Sequence, residues 1–316
     1  MRLCLPLLLS FTLVNLNLFA QDLREPDSEA NYEFRISKTP GEIRVDGQLE
    51  ETAWKSATQL DQFRYNFPVD TGFTTTLTEV RATFDDKNLY FGIKCWQPRS
   101  SYTIQSLKRD FPGGTSDVIN VLLSPFKDGL NGFLFGVNPF NVQREAILSN
   151  GSTIEFEWDN RWSSAVENNE DFWIVEIAIP FKSIRYKTEN GQNSWHVNFV
   201  RTRLQPWEVS TWRPVPQQFA PNNLAFSGLM VWDSPPPAPK KNIAIIPYVR
   251  TSYNTDYIRD KDYVLLDKSG QFANGIGGDA KIAVTPSLNL DLTINPDFSQ
   301  VEVDRQVANL SRFELF

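Results

Sequence analysis

Between Phe34 and Asp233 apolar side chains return at every second position in one short run after another. In Thr78–Phe84 the residues Val80, Ala82 and Phe84 share a face, Asp85-Asp86-Lys87-Asn88 makes a turn, and Leu89–Trp96 comes back, which predicts a hairpin. Two further strands are expected at Asp117–Leu123 and Gly132–Asn138, joined by a polar turn around Lys127-Asp128-Gly129. Phe172–Pro180 alternates through Trp173, Val175, Ile177 and Ile179, Pro180 ends it, and Phe181–Ile184 reads as a turn of helix. Trp195–Arg203 alternates through Trp195, Val197, Phe199 and Arg201. Near the start, Ile43 and Val45 lead into an Asp46-Gly47 turn, and Gln48–Ala57 predicts a short helical turn carrying Trp54. Strands of this length and spacing, with few helical periods, predict an all-β fold: an antiparallel, jelly-roll-like β-sandwich over residues 34–233.

The pattern breaks at residues 234–241, where Pro235-Pro236-Pro237-Ala238-Pro239-Lys240-Lys241 predicts a stiff extended linker and a domain boundary. Beyond it the strands lengthen: Ile243–Tyr253, Gly275–Thr285 and Leu288–Asn295. The last sets Leu288, Leu290, Leu292 and Ile294 on one face against Asn289, Asp291, Thr293 and Asn295 on the other. Such alternation suits a transmembrane barrel strand and equally a half-buried sheet in water. Three or four strands cannot close a barrel, which needs about eight. Residues 242–316 are therefore expected to be the first strands of a truncated, outer-membrane barrel-like region.

The first twenty residues add a compartment. Arg2, an apolar stretch from Leu3 to about Val14 continued by Leu16, Leu18 and Phe19, and Ala20 before Gln21 read as a secretory signal, followed by a polar leader over 21–33. Asn15 and Asn17 interrupt that stretch and leave it short for a membrane span. Removal of the signal takes Cys4 with it, leaving Cys95 alone, so no intrachain disulfide is expected; Cys95 sits in an apolar strand and reads as a small core residue. His196 is the one histidine, which excludes zinc sites built from two or three histidines. A net charge of −7 argues against a nucleic-acid partner.

Several pieces then line up in order. Val45-Asp46-Gly47 precedes Glu50, Glu51 and Trp54; the hairpin from Thr78 to Gly92 follows; then come Ser116-Asp117-Val118, the run Trp173–Phe181 and the run Trp195–Arg201. Over about residues 38–233 this order resembles the family 9 carbohydrate-binding modules. Phe135-Gly136-Val137-Asn138-Pro139, Trp158-Asp159-Asn160-Arg161-Trp162 and Asn295-Pro296-Asp297-Phe298-Ser299-Gln300-Val301-Glu302 resemble large outer-membrane proteins of Bacteroidota-like bacteria, in which a family-9-like domain precedes an uncharacterised barrel-like region. The resemblance implies a sugar clamped between tryptophans, a bound structural calcium, and an association with polysaccharide breakdown and glycoside hydrolases. It also implies an exported envelope protein whose partners are a glycan or other envelope polymer and, through its C-terminal region, the outer membrane. The N-terminal domain would then lie in the periplasm or at the cell surface.

Sugar recognition needs flat aromatic faces and polar groups around them. Of the nine tryptophans, Trp54, Trp173 and Trp195 sit in apolar patterns and are expected in the core. Trp96, Trp158, Trp162, Trp207 and Trp212 lie near strand ends or in polar loops and are the ligand candidates. Arg109, Asp117, Asn138, Arg144, Arg161 and Arg201 are candidates for hydroxyl contacts, and Asp85, Asp86 and Asn88 form an oxygen-rich turn of the kind calcium accepts. Glu155, Glu157 and Asp159 alternate on an expected strand and could present carboxylates on one face, as a glycosidase would need. Glu176 reads as a structural residue that packs or pairs with Arg201. Two non-sugar-cleaving roles stay open: glycan binding, and a structural domain that packs on or gates the barrel.

Overall fold

The computed structural model describes residues 32–186, 194–237, 243–259, 261, 265–285 and 288–296. The signal segment, nearly all of the leader, the end of the proline run and the residues after Pro296 lie outside the described residues.

In chain order the elements are β1 (Glu33–Ile36), α1 (Thr52–Ser56), β2 (Arg64–Phe67), β3 (Thr78–Phe84), β4 (Asn88–Trp96), β5 (Val118–Ser124), β6 (Gly132–Val137), β7 (Gln143–Ser149) and β8 (Thr153–Glu155). They continue with β9 (Ser163–Asn168), β10 (Phe172–Pro180), β11 (Ser194–Leu204), β12 (Trp207–Thr211) and β13 (Gly228–Trp232). A 3₁₀ turn at Phe181–Ser183 follows β10, where Pro180 ends the strand.

Two sheets face each other. The larger runs β1-β13-β11-β5-β6-β7-β8, with β12 pairing both β11 and β2; the smaller runs β3-β4-β10-β9. The alternation explains the facing. Ile119, Val121 and Leu123 of β5, Phe133, Phe135 and Val137 of β6, and Trp195, Val197 and Phe199 of β11 meet Val80, Ala82, Leu89, Phe91, Ile93, Trp173, Val175 and Ile177 of the smaller sheet in one core. Trp54, Trp173 and Trp195 are all buried, as is Cys95. The sheets are antiparallel, as expected for the sandwich, with one parallel strand pairing, β1 to β13, at the edge of the large sheet.

The outer face of the large sheet is not left to solvent. Leu122, Leu134, Ala146, Leu148, Val200 and Val209 pack there under Leu224, with Phe67, Ile154 and Phe156 at the margin. The outer face of the smaller sheet is only half covered. Ile43, Ala53 and Trp54 close over Tyr90 and Ala178, and the other half, around Lys94, Trp96, Phe172 and Ile174, stays open.

The third sheet consists of β14 (Ile243–Arg259), β15 (Leu265–Thr285) and β16 (Leu288–Ile294), all antiparallel. β14 has 17 residues and β15 has 21, longer than the alternation alone indicates. Gly270, Gly275, Gly277 and Gly278 interrupt the apolar pattern of β15 without interrupting its ladder. Register places Ile245, Val249, Tyr253 and Tyr257 opposite Ala280, Ile276, Phe272 and Lys268, with Leu292 and Ile294 beyond them. Apart from the Thr251–Asn274 pair, Thr255 and the Lys268 end this face is apolar, and its large side chains are exposed. The opposite face carries Arg250, Asn254, Asp256, Gln271, Asp279, Lys281, Asp291 and Thr293.

Candidate functional site

The open half of the smaller sheet follows from strand parity. Along β4, Leu89, Phe91, Ile93 and Cys95 point into the core, so Lys94 and Trp96 point out. Along β10, Trp173, Val175 and Ile177 point in, so Phe172 and Ile174 point out. Antiparallel register sets Phe172 directly opposite Trp96, and their rings tilt together with centroids 5.2 Å apart. The Trp96 indole Nε1 donates to Glu79 at 2.9 Å. The Lys94 ammonium lies 4.0 Å from the Trp96 ring centre and 3.9 Å from that of Phe172, a cation held over two aromatic faces.

A shallow cleft of about 380 Å³ opens on one side of this pair, lined by Gln48, Glu50, Glu79, Arg81, Lys94, Glu167, Asn169 and Phe172 among others. A second, of about 360 Å³, opens on the other side between Thr75, Thr76, Leu77, Trp96, Gln97, Asp171 and Arg203. Arg81 is braced by Glu79 at 3.6 Å and by Gln59, and Arg203 by Thr76 at 2.5 Å and Glu208 at 3.8 Å. The combination is an aromatic platform ringed by fixed donors and acceptors, on a rigid sheet.

The wall behind the platform is organised by Arg201. Its guanidinium crosses from the inner face of β11 to donate to the carbonyls of Leu77 and Trp96, each at 2.7 Å, and to Thr78 Oγ1 at 2.9 Å. It is buried, and desolvation lowers its pKa. Asp117 is buried beside it, accepting from Gln97 Nε2 at 2.7 Å, from the Thr103 amide at 2.9 Å and from the Leu204 amide at 2.7 Å. Arg201 and Asp117 are thus internal braces, and neither reaches solvent to meet a hydroxyl.

The other sequence candidates scatter. Trp207 is 59% exposed at the β11–β12 hairpin, tilted against Phe67 with centroids 4.5 Å apart. Trp158 is half-buried on Phe133 and Phe135, at 5.1 and 5.9 Å. Trp162 and Trp212 are corrected: both are enclosed, at 7% and 5% exposure, Trp162 against Phe135 and Trp212 against Tyr32, Phe34 and Phe199. Arg161 and Ser163 face out beside Trp162 while its indole packs in, and Trp212 follows the buried Ser210 and Thr211. Asn138 is buried in the β6–β7 turn, its Oδ1 accepting from the amides of Phe140 and Val142 at 2.9 Å each. Arg144 is buried with its guanidinium between Phe111 and Phe156, and burial lowers its pKa to about 10. Arg109 donates to Gln143 at 2.7 Å and to Glu145, and Arg161 is exposed on the neighbouring loop. None of these eight residues lines either cleft.

The oxygen-rich turn is built by its own hydrogen bonds. Asp85 Oδ1 accepts from the amides of Lys87 and Asn88 at 2.7 and 2.6 Å, and Oδ2 from Tyr90 at 2.9 Å. Asp86 turns away to Lys38 at 2.7 Å. Among the described residues no group of three or more His, Cys, Asp or Glu side chains is arranged to hold a metal. The strand expected through Glu155, Glu157 and Asp159 ends at Glu155, which bonds Ser149 at 2.5 Å; Glu157 and Asp159 are exposed on the following loop. Glu176 pairs with Asp46, Gly47 and Trp54 rather than with Arg201.

Lys94, Phe172, Glu79, Arg81 and Glu167 were not among the sequence candidates. The signal was present: Trp96 shares the parity of Lys94, opposite to the core residues, and Phe172 shares the outward parity of β10.

Among solved structures, a protein from Bacteroides uniformis proposed to bind carbohydrate superposes with a TM-score of 0.53 at 11% identity, over 64% of this chain and 99% of that one. The two share a fold. Two structures of a family 9 carbohydrate-binding module from Caldicellulosiruptor kristjanssonii, with glucose and with cellotriose, also match, each at a TM-score of 0.45 and 16% identity. They cover 64% and 63% of this chain and 95% and 93% of theirs. Residues 239–316 match the model of a family described as a domain of unknown function, DUF5916. No curated protein matches the chain.

Proposed function

We propose that the sandwich binds carbohydrate at the Trp96–Phe172 platform. The observation that carries this reading is the platform itself: two outward rings fixed on adjacent strands, between two clefts lined by the partly exposed Glu79, Arg81 and Glu167, with the buried Arg203 at the back of the second. A pyranose has an apolar face for the rings and hydroxyls for the charged and amide groups around them. The ordered likeness to family 9 modules and the fold shared with the Bacteroides protein support it. Lys94, flexible and solvent-reaching, either donates to a hydroxyl or moves aside when a sugar stacks.

The chain is read as exported, on the strength of its first twenty residues, and the sheet β14–β16 as part of an outer-membrane barrel. The long antiparallel strands with one mainly apolar and one mainly polar face support the second point; no helix among the described residues is long and apolar enough to span a membrane, which says nothing of strands. In this reading the sandwich captures polysaccharide at the envelope, in the service of its breakdown. The test is calorimetry and a glycan array with the full chain in detergent. Binding of at least one polysaccharide, lost in Trp96→Ala, is expected; no binding to any glycan tested overturns the reading.

A second reading, a structural domain that packs on or gates the barrel, is favoured by the Lys94 ammonium lying over both platform rings. Full binding by a Trp96→Ala protein would point to it.

A further inference from the structure

Resting on the barrel reading of β14–β16, we infer that the sandwich stands on the periplasmic side of the outer membrane while the β14–β15 hairpin projects from the outer side. The Trp96–Phe172 platform then meets glycan that is already inside the outer membrane. Three observations lead to this.

The first is where the apolar face of the third sheet stops. Along β14, register sets Ile245, Pro247 and Val249 beside Ala280, Gly278 and Ile276, with Leu292 and Ile294 of β16 beyond. Of these, Ile245, Val249, Ile276 and Ile294 are 74–77% exposed. Next comes the Thr251–Asn274 pair, bonded at 3.2 Å. Then come the rings of Tyr253 and Phe272, with centroids 6.2 Å apart, and after them Tyr257 with the Lys268 ammonium 5.5 Å from its ring centre. Aliphatic side chains, then amphipathic rings, then a lysine is the order met on passing from hydrocarbon into headgroups. The strand from Ile243 to Tyr253 also has the length that crosses a bilayer at barrel tilt, about 9–11 residues. One membrane boundary therefore lies at Tyr253–Phe272, far along β14 from its first residue.

The second is the difference between the two ends of the sheet. Beyond Tyr253–Phe272 the hairpin runs on through residues 254–271, pairing as far as Arg259 with Leu265. This excursion carries Asp256, Arg259, Lys261, Asp267 and Lys268, charges that belong in water. At the opposite end β15 and β16 pair up to Thr285 and Leu288, and residues 286 and 287 alone join them. Outer-membrane barrels keep short turns on the periplasmic side and longer loops outside. The Thr285–Leu288 end is therefore the periplasmic one, and Ile243, paired with Ile282, starts β14 at that end.

The third is reach. Tyr186 Oη donates to the Pro237 carbonyl at 2.6 Å, which ties the chain to the sandwich at that point. Residues 238–242 separate Pro237 from Ile243. At no more than about 3.6 Å per residue they span about 20 Å, short of an apolar band about 25 Å tall. The sandwich cannot lie across the membrane from the start of β14, so it shares the periplasmic side.

The test is cysteine labelling in cells expressing the complete gene, with a maleimide carried on a polyethylene glycol too large for porins. Cys95 is buried, so the parent protein is the unlabelled control. Lys87→Cys puts a thiol at an exposed turn of the sandwich, and Lys261→Cys puts one in the β14–β15 hairpin. Lys261→Cys is expected to react in intact cells, and Lys87→Cys only after the outer membrane is opened with EDTA and osmotic shock. Labelling of Lys87→Cys in intact cells overturns the inference, and so does a Lys261→Cys protein that stays unlabelled until the membrane is opened. A carbonate wash separates the causes. Protein retained in the membrane pellet keeps the barrel reading and loses only the sidedness; protein washed free loses both. Glycan binding is read separately by calorimetry and stands or falls on its own.

Discussion

The indole Nε1 of Trp54 donates to Oε1 of Glu176 at 2.9 Å across 122 residues of sequence, and both side chains are buried. The other carboxylate oxygen accepts from the amides of Asp46 and Gly47 at 2.8 Å each. Gly47 has φ +91, and a Cβ there would lie 2.8 Å from the Glu167 amide nitrogen. One carboxylate thus fixes the Val45-Asp46-Gly47 turn and the Trp54 helix over the back of the smaller sheet, and decides how much of that sheet remains open. Trp54→Phe keeps an aromatic ring but leaves an oxygen unpaired; it should cost about 1–3 kcal/mol in chemical denaturation. Glu176→Ala, which strands three donors, should cost more. A double-mutant cycle should show the two changes to be strongly non-additive.

Site and core tryptophans should separate cleanly. Trp96→Ala is expected to abolish glycan binding with a modest stability loss, on the order of 1 kcal/mol. Trp212→Ala empties a core position and should cost about 3–5 kcal/mol. Thermal melts alongside calorimetry distinguish the two; a large melting loss in Trp96→Ala would place that residue in the core.

Arg201 holds the wall of the platform through carbonyls, so its geometry matters as well as its charge. Arg201→Lys is expected to lose about 2 kcal/mol or more, because one ammonium cannot reproduce the fork that spans Leu77, Thr78 and Trp96. Equal denaturation midpoints for Arg201→Lys and the parent would contradict this.

Alkali should weaken the sandwich. Burial raises the Cys95 thiol from 9.0 to about 11 and the Tyr186 hydroxyl from 10.0 to about 12. The unfolded chain releases these protons first, so the folded state binds more protons in that window and stability falls as pH rises. The contribution is complete below about pH 9 and lost progressively up to about 11 for Cys95. Cys95→Ala should flatten the stability curve over that interval while lowering stability at neutral pH through the cavity it leaves. Denaturation midpoints from pH 7 to 11 check both.

If β14–β16 face lipid through Val249, Ile276 and Leu292, Val249→Arg should impair membrane assembly by about 2–4 kcal/mol near the bilayer centre. Ser252→Arg, on the opposite face, should be tolerated. Folded yield in outer-membrane fractions measures the difference; equal tolerance at both sites would remove the barrel reading.

The two-residue period was enough to place β3, β4, β10 and β11, because each buries one face and polar residues mark the other. It also marked Trp54, Trp173 and Trp195 as core, and in the parity of Trp96 and Phe172 it held the outward face of the site. It did not reveal β7, β9 or β12, which pair their chain neighbours β6, β10 and β11 but are short runs with few alternating apolar residues, nor β13, whose partner β1 is distant in the chain. Nor could it sort the loop tryptophans. Trp162 and Trp212 have polar neighbours like Trp207, yet burial is decided by which sheet edge each loop crosses: Trp162 meets Phe135 and Trp212 meets Phe34 and Phe199, while Trp207 caps a hairpin beside Phe67 and stays 59% exposed. Local sequence determines which side of a strand a residue occupies. Only the stacking of the two sheets, and the partial cover that Trp54 and Glu176 hold over one of them, decided which outward face remained open to a ligand.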